Sequence, residues 1–219
     1  MKIVVVLFDR LTALDAIGPY EVLQRTPGAD LVFAAHEPGE KRTETGRLGL
    51  TADAALADVP EPDIIVVPGG FGTRAVADHE PTLAWLRHAH ERSTYTTSVC
   101  TGSLVLGAAG LLDGLEATTH WAEMDALAAY GARPTHERVV QQGKIITAAG
   151  VSSGIDMALT LLGQLAGDDV ARAVQLGIEY DPQPPYDAGS VAKAGPELTE
   201  LVRAALDAEN EVAATPPDR

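Results

Sequence analysis

Two runs in this chain, Ile3-Val-Val-Val-Leu7 and Ile64-Ile-Val-Val67, are apolar at every position. A strand with one wet face alternates polar and apolar residues. One that is apolar throughout needs cover on both faces, which a parallel sheet between two helical layers provides. Helical stretches fall between such runs. Thr12–Leu23 is one, Pro81–Arg92 carries Leu83, Trp85 and Leu86 on one side, and Ile155–Leu165 and Asp168–Leu176 follow. Further strands are expected at Asp30–Ala35, Tyr95–Val99, Val139–Val140 and Lys144–Thr147, with an exposed hairpin over Glu37–Thr51. Strands alternating with helices give an α/β domain whose sheet is mainly parallel, with ligands beyond the carboxyl ends of the strands. At 219 residues the chain suits one such domain, 1–190, followed by an acidic helical tail, 191–219, whose end is expected to be disordered. The proline-rich Tyr180–Ser190 stretch at the junction cannot build a core of its own.

The stretch Tyr95 to Gly110 holds the only cysteine. A β-favouring run (Tyr95, Thr96, Thr97, Val99) passes without loop residues into Cys100, and Leu104, Val105, Leu106, Ala108 and Ala109 then read as a buried helix. On a tight strand-to-helix turn a reactive atom stands where small neighbours, here Thr101, Gly102 and Ser103, relieve crowding and backbone N–H groups converge. A thiol there also feels the positive end of the helix dipole, which favours thiolate. The same position suits a small core hydrophobe, so both readings stand. One cysteine excludes an intrachain disulfide and a multi-cysteine zinc site. No histidine adjoins Cys100, and the six histidines show no metal-ligand spacing. His79, His88 and His90 lie on a solvated stretch, while His120, beside Trp121, either lines a pocket or is structural.

A nucleophile needs a proton carrier and donors for developing charge. Asp15 follows the first strand at the same rim as Cys100 and reads either as the acid or as a helix N-cap, with Pro19 in the first helical turn. Gly69-Gly-Phe-Gly72 ends the second apolar strand, and Gly70 N–H and Thr101 N–H are candidate donors; a plain tight turn explains the glycines equally. The Thr101 hydroxyl is placed to hold Asp15 or a water, or to cap its own helix. The formal charge is −15, and Lys2, Lys41, Lys144 and Lys193 are the only lysines. Such a surface repels phosphate backbones and anionic lipid, so neither nucleic acid nor membrane is expected as a partner. The first apolar run is too short for a signal peptide and no other stretch approaches a membrane span, which together lead to the expectation of a cytoplasmic protein.

The elbow Ser98-Val-Cys-Thr-Gly-Ser-Leu-Val-Leu-Gly-Ala-Ala-Gly-Leu-Leu112 resembles that of the ThiJ/PfpI superfamily, and within it the bacterial isocyanide (isonitrile) hydratases. The likeness extends through Leu14-Asp-Ala-Ile-Gly-Pro19, Val67-Pro-Gly-Gly70, Ala117-Thr-Thr-His-Trp121, His136-Glu-Arg-Val139, Gly154-Ile-Asp156 and Glu179-Tyr-Asp-Pro-Gln-Pro-Pro-Tyr186. The resemblance implies a flavodoxin-like three-layer sandwich of the class I glutamine amidotransferase-like kind, a homodimer, and a lyase that uses neither cofactor nor metal to hydrate an isocyanide to a formamide. It implies Cys100 as nucleophile, Asp15 as acid and base, Thr101 beside them, and Gly70, Phe71, Gly150 and His120 on the substrate side. PfpI-type proteases place His directly after the cysteine, where this chain has Thr101, which disfavours proteolysis. A glyoxalase or deglycase of the same superfamily and a non-enzymatic redox sensor are the rival readings. Related regulators carry helix-turn-helix modules, for which the tail after Ser190 is too short and too acidic.

Overall fold

In the computed structural model, which describes residues 1–214, the chain runs through β1 (Lys2–Val6), α1 (Ala13–Leu23), β2 (Asp30–Ala35), β3 (Gly39–Arg42), β4 (Gly49–Ala52), β5 (Ala54–Ala55), β6 (Ile64–Val67), α2 (Thr73–Ala77), α3 (Glu80–Arg92), β7 (Tyr95–Val99), α4 (Gly102–Ala108), β8 (Glu116–Ala117), α5 (Met124–Ala129), β9 (Arg133–Pro134), β10 (Val139–Gln142), β11 (Ile145–Ala148), α6 (Ser153–Ala166) and α7 (Asp168–Gly177). Seven strands form the main sheet in the order β10-β11-β7-β6-β1-β2-β5, parallel except where β10 meets β11. From β1 the chain adds β2 on one side, then returns to add β6, β7 and β11 on the other. The reversal between β1 and β6 is the switch point at which flavodoxin-like sheets bind ligands.

Right-handed crossovers in opposite directions place helices on opposite faces. α1 packs on α6, while α4 packs against α2, α3 and α5. The middle layer is what the apolar runs demand: Ile3, Ile64, Ile65 and Ile146 are fully buried, as are Leu86, Leu106 and Met157 of the helices. Each such side chain contributes about 1.5–3 kcal/mol of burial. The β3–β4 hairpin stands apart from the main sheet. It lies within the stretch read as an excursion.

Two local expectations fail at α1. The helix begins at Ala13, so Asp15 lies inside the first turn rather than before it, and Thr12, in extended conformation, precedes the helix. Pro19 consequently falls mid-helix, not in the first turn. Having no N–H, it leaves the carbonyl of Asp15 without the usual i+4 donor.

The chain divides into two compact units after Ile178. In the second, residues 180–190 are irregular, and α8 (Val191–Ala194) packs on α9 (Pro196–Ala214). The proline-rich stretch, expected to close the α/β domain, thus falls with the tail. The disorder expected at the chain end concerns residues 215–219, which lie outside the described residues. Among the described residues no helix is long and apolar enough to cross a membrane.

Candidate active site

Strand register sets the site. Val67 pairs with Ser98 and Val99 with Ala148, so the chain leaves β6, β7 and β11 side by side at Gly69, Cys100 and Ala149. Cys100 has φ 55°, a left-handed conformation that a non-glycine residue adopts at a cost of about 1 kcal/mol. Both of its backbone groups are pinned. The N–H donates to Ala148 O (3.0 Å) and Ala149 O (3.1 Å), and the carbonyl accepts from Thr119 Oγ1 (3.1 Å) and Ser103 Oγ (3.2 Å). The strain is therefore held by the surroundings, as at a nucleophile elbow. The turn also needs close approach: a side chain at Gly102 would meet Val67 O at 2.1 Å.

Asp15 is fully buried. Its Oδ2 accepts the Gly69 N–H at 2.9 Å, while Oδ1 has no hydrogen-bond partner. Burial raises its pKa to about 8, opposed by the Gly69 N–H, reinforced by the charge of Glu44, and opposed again by the Cys100 thiol. Cys100 is only 5% exposed. Burial first, and then the Asp15 charge, push its thiol well above the usual range, against the N–H groups of Val151 and Thr101, which hydrogen-bond the sulfur. The thiolate expected from the helix dipole is thus not the resting form. Desolvation outweighs the dipole, and at neutral pH the site holds a thiol facing a carboxylic acid.

The Thr101 hydroxyl makes no cap hydrogen bond to α4 and none to Asp15. Its Oγ1 accepts from Gly70 N (2.9 Å) and donates to Gly70 O (3.2 Å), so the Gly70 N–H serves to lock the two turns together rather than standing free for substrate. Phe71 lies half-buried under the Arg10 guanidinium, 6.0 Å from ring centroid to Cζ. Gly150 faces His120, whose Cδ2 would stand 2.7 Å from a β-carbon there. His120 Nδ1 accepts from Ala122 N at 3.4 Å, and its ring leans on Trp121 with centroids 5.5 Å apart. Asp15 and Cys100 therefore meet directly, Thr101 joins them through its N–H to the sulfur and brings in Gly70 through its hydroxyl, and Gly150 lies against His120. His90, expected at the surface, is instead partly buried and bonded to Thr96 Oγ1 at 2.9 Å, at the opposite end of β7.

Gly69, read from the sequence as part of a loop of close backbone approach or a plain tight turn, makes that approach at the acid: a β-carbon there would meet Thr101 N at 2.5 Å, Thr101 Oγ1 at 2.7 Å and Asp15 Oδ2 at 2.9 Å, so only glycine lets acid, nucleophile turn and loop converge. Three further residues escape the sequence reading. Val151, with φ 32°, turns its N–H to the sulfur. Thr119 holds the Cys100 carbonyl, and Glu44 reaches the rim from the hairpin. The small-residue run Ala148–Gly154 marks a strand end, but no local pattern singles out Val151. Among the described residues no group of three or more His, Cys, Asp or Glu side chains could hold a metal ion.

Comparison with known proteins shows the family and the fold. The model of the DJ-1/PfpI family matches residues 1–164. An isonitrile hydratase of Pseudomonas putida is 45% identical over 190 residues, 87% of this chain and 83% of the relative. The crystal structure of a ThiJ/PfpI family protein from Pseudomonas syringae superposes with a TM-score of 0.92 at 36% identity, over 97% of this chain and 88% of that one. An HTH-type transcriptional regulator of Pseudomonas aeruginosa is 36% identical over 131 residues, 58% of this chain but only 38% of the regulator.

Proposed function

The chain belongs to the DJ-1/PfpI family, and from that premise we propose that it hydrates an isocyanide, R–NC, to an N-substituted formamide, with Cys100 as nucleophile and Asp15 as acid and base. The observation that carries the reading is the buried Cys100 thiol facing the buried Asp15 carboxyl, with Thr101 and not histidine after the cysteine, in a chain 45% identical to an isonitrile hydratase. An isocyanide carbon accepts a nucleophile and then a proton, and this pair holds both.

Thiol and carboxyl titrate together. Loss of one proton near pH 8 leaves a single proton shared between sulfur and oxygen, and when it sits on Asp15 the sulfur is a thiolate. The N–H groups of Val151 and Thr101 stabilise that charge. The thiolate attacks the terminal carbon, a C–S bond forms, and the carbon takes the Asp15 proton to give the thioimidate R–N=CH–S–Cys100. The Asp15 carboxylate accepts a proton from water as the water oxygen adds to the same carbon, then passes that proton to nitrogen. Collapse of R–NH–CH(OH)–S–Cys100 breaks the C–S bond, regenerates the thiolate, returns the hydroxyl proton to Asp15 and releases R–NH–CHO. Atoms balance as R–NC plus water.

The test is formamide production from cyclohexyl isocyanide, followed in parent and Cys100→Ala proteins. Turnover by the parent alone supports the reading, and equal rates overturn it. The same reading carries the expectations of a homodimer in the cytoplasm; sedimentation equilibrium at two or more protein concentrations checks the first.

A further inference from the structure

The β3–β4 hairpin does more than decorate the fold. Its tip docks on the turn between β1 and α1: Arg10 N donates to Arg42 O (2.6 Å), Arg42 N to Asp9 Oδ1 (2.9 Å), and Glu44 N to Leu11 O (3.2 Å), beside a bridge from Leu11 to Thr43. This places the half-buried Glu44 carboxylate against the start of α1, where Thr12 Oγ1 donates to Glu44 Oε1 at 2.7 Å. The hydroxyl of a threonine before a helix usually turns inward to a helical N–H. Here it makes no such bond and turns to the hairpin. The connection continues inward. Thr12 N donates to Gly69 O (2.9 Å), and Gly69 N donates to Asp15 Oδ2 (2.9 Å). Two residues thus link an acid on the hairpin to the acid facing Cys100.

We propose that Glu44 is a positioning residue of this site, whose negative charge, held in place by Thr12, adds to burial in keeping the Asp15 carboxyl in its acid form. A general acid must carry its proton when the substrate arrives; burial does most to hold it on a carboxyl, and a second negative charge nearby holds it further. The groups around Asp15 fit that requirement. The elbow presents Cys100, the loop after β6 presents the Gly69 N–H, and the hairpin presents Glu44. The arginines of the hairpin and of the turn before α1 have other partners: Arg42 pairs with Glu40 at 2.7 Å, and Arg10 lies over Phe71. Glu44 raises the thiol as well, so it acts on the pair as a unit.

The inference rests on the proposed chemistry only in making Asp15 the acid, and its test needs no isocyanide. Cys100 is the sole cysteine, so alkylation of the full chain by iodoacetamide, followed by mass, reports one site. The rate is measured against pH for the parent, Glu44→Gln and Glu44→Asp proteins, and the Asp15 side-chain carboxyl carbon resonance, assigned with Asp15→Asn, is titrated in each. Gln still accepts from Thr12, so the tether survives while the charge goes. The midpoint of both profiles is expected to fall in Glu44→Gln by roughly half a pH unit or more, the scale set by a unit charge acting within a partly screened site. Glu44→Asp is expected to stay nearer the parent. Coincident midpoints for parent and Glu44→Gln, or equal shifts in both variants, overturn the proposal. A shifted midpoint in a protein that leaves cyclohexyl isocyanide untouched would sink the hydration reading and leave the role of Glu44 intact.

Discussion

The two ends of the central sheet treat charge in opposite ways. At the amino ends of the strands, charges meet partners at the surface. Lys2 Nζ lies 2.5 Å from Asp30 Oδ2, Lys2 N donates to Asp63 Oδ2 at 2.7 Å, and Lys144 Nζ serves the carbonyls of His90, Glu91 and Ser93 that close α3. Lys2 holds Asp30 below the ordinary carboxyl range. At the carboxyl ends, Asp15 and Cys100 are buried together, and Glu44 adds a third acid whose charge raises both. One end pairs its surface charges, although burial and the nearby Lys144 lower the His90 imidazole there. The other stores protons by making ionisation expensive, which is the condition for acid–base chemistry near neutral pH.

The largest effect that would break this contrast is a side chain at Gly69. Gly69→Ala forces a β-carbon against Thr101 and Asp15 at once, and is expected to reduce turnover at least about a hundredfold and to lower the melting temperature by several degrees. Steady-state assay and calorimetry check both. Asp15→Asn comes next, with a loss of about 10²–10⁴ in turnover. It also separates function from stability. The folded pKa of Asp15, about 8, lies above the unfolded 3.8, so between those values the folded state holds a proton that the unfolded state has lost. Stability contributed by the parent acid is therefore full below about pH 4 and declines as pH rises through 8. Asn carries no such dependence. Melting curves at pH 5 and pH 9 are expected to show Asp15→Asn gaining on the parent at the higher pH. A constant difference between the two proteins would contradict a raised Asp15.

At the far end the expected effects are small. Lys2→Met removes an exposed pair and is expected to leave turnover within about twofold and the melting temperature within about two degrees. A loss of activity there would mean that the two ends are coupled through β1.

How far the sequence foretells this arrangement follows from the range of the interactions. The apolar runs of β1 and β6 specify a sheet covered on both faces, because no other setting buries consecutive side chains. The elbow is legible because a strand runs into Cys100 with no loop between. Asp15 is legible as a candidate only; whether it caps a helix or is buried depends on where α1 starts, and that is settled by the docking of Gly69 and the hairpin. Gly69 and Gly70 look alike in sequence, yet one touches the acid and the other bonds Thr101. Val151 and Glu44 are invisible locally, since their roles arise from segments brought together across the fold.

The most direct test of the contrast is one titration of the aspartate carboxyl carbons by NMR, in the intact chain. Asp15 is expected to change state near pH 8, and Asp30, in the same spectra, below the ordinary carboxylate range. An Asp15 already ionised at pH 6 would contradict the account, because the site would then hold a paired or solvated carboxylate rather than a stored proton.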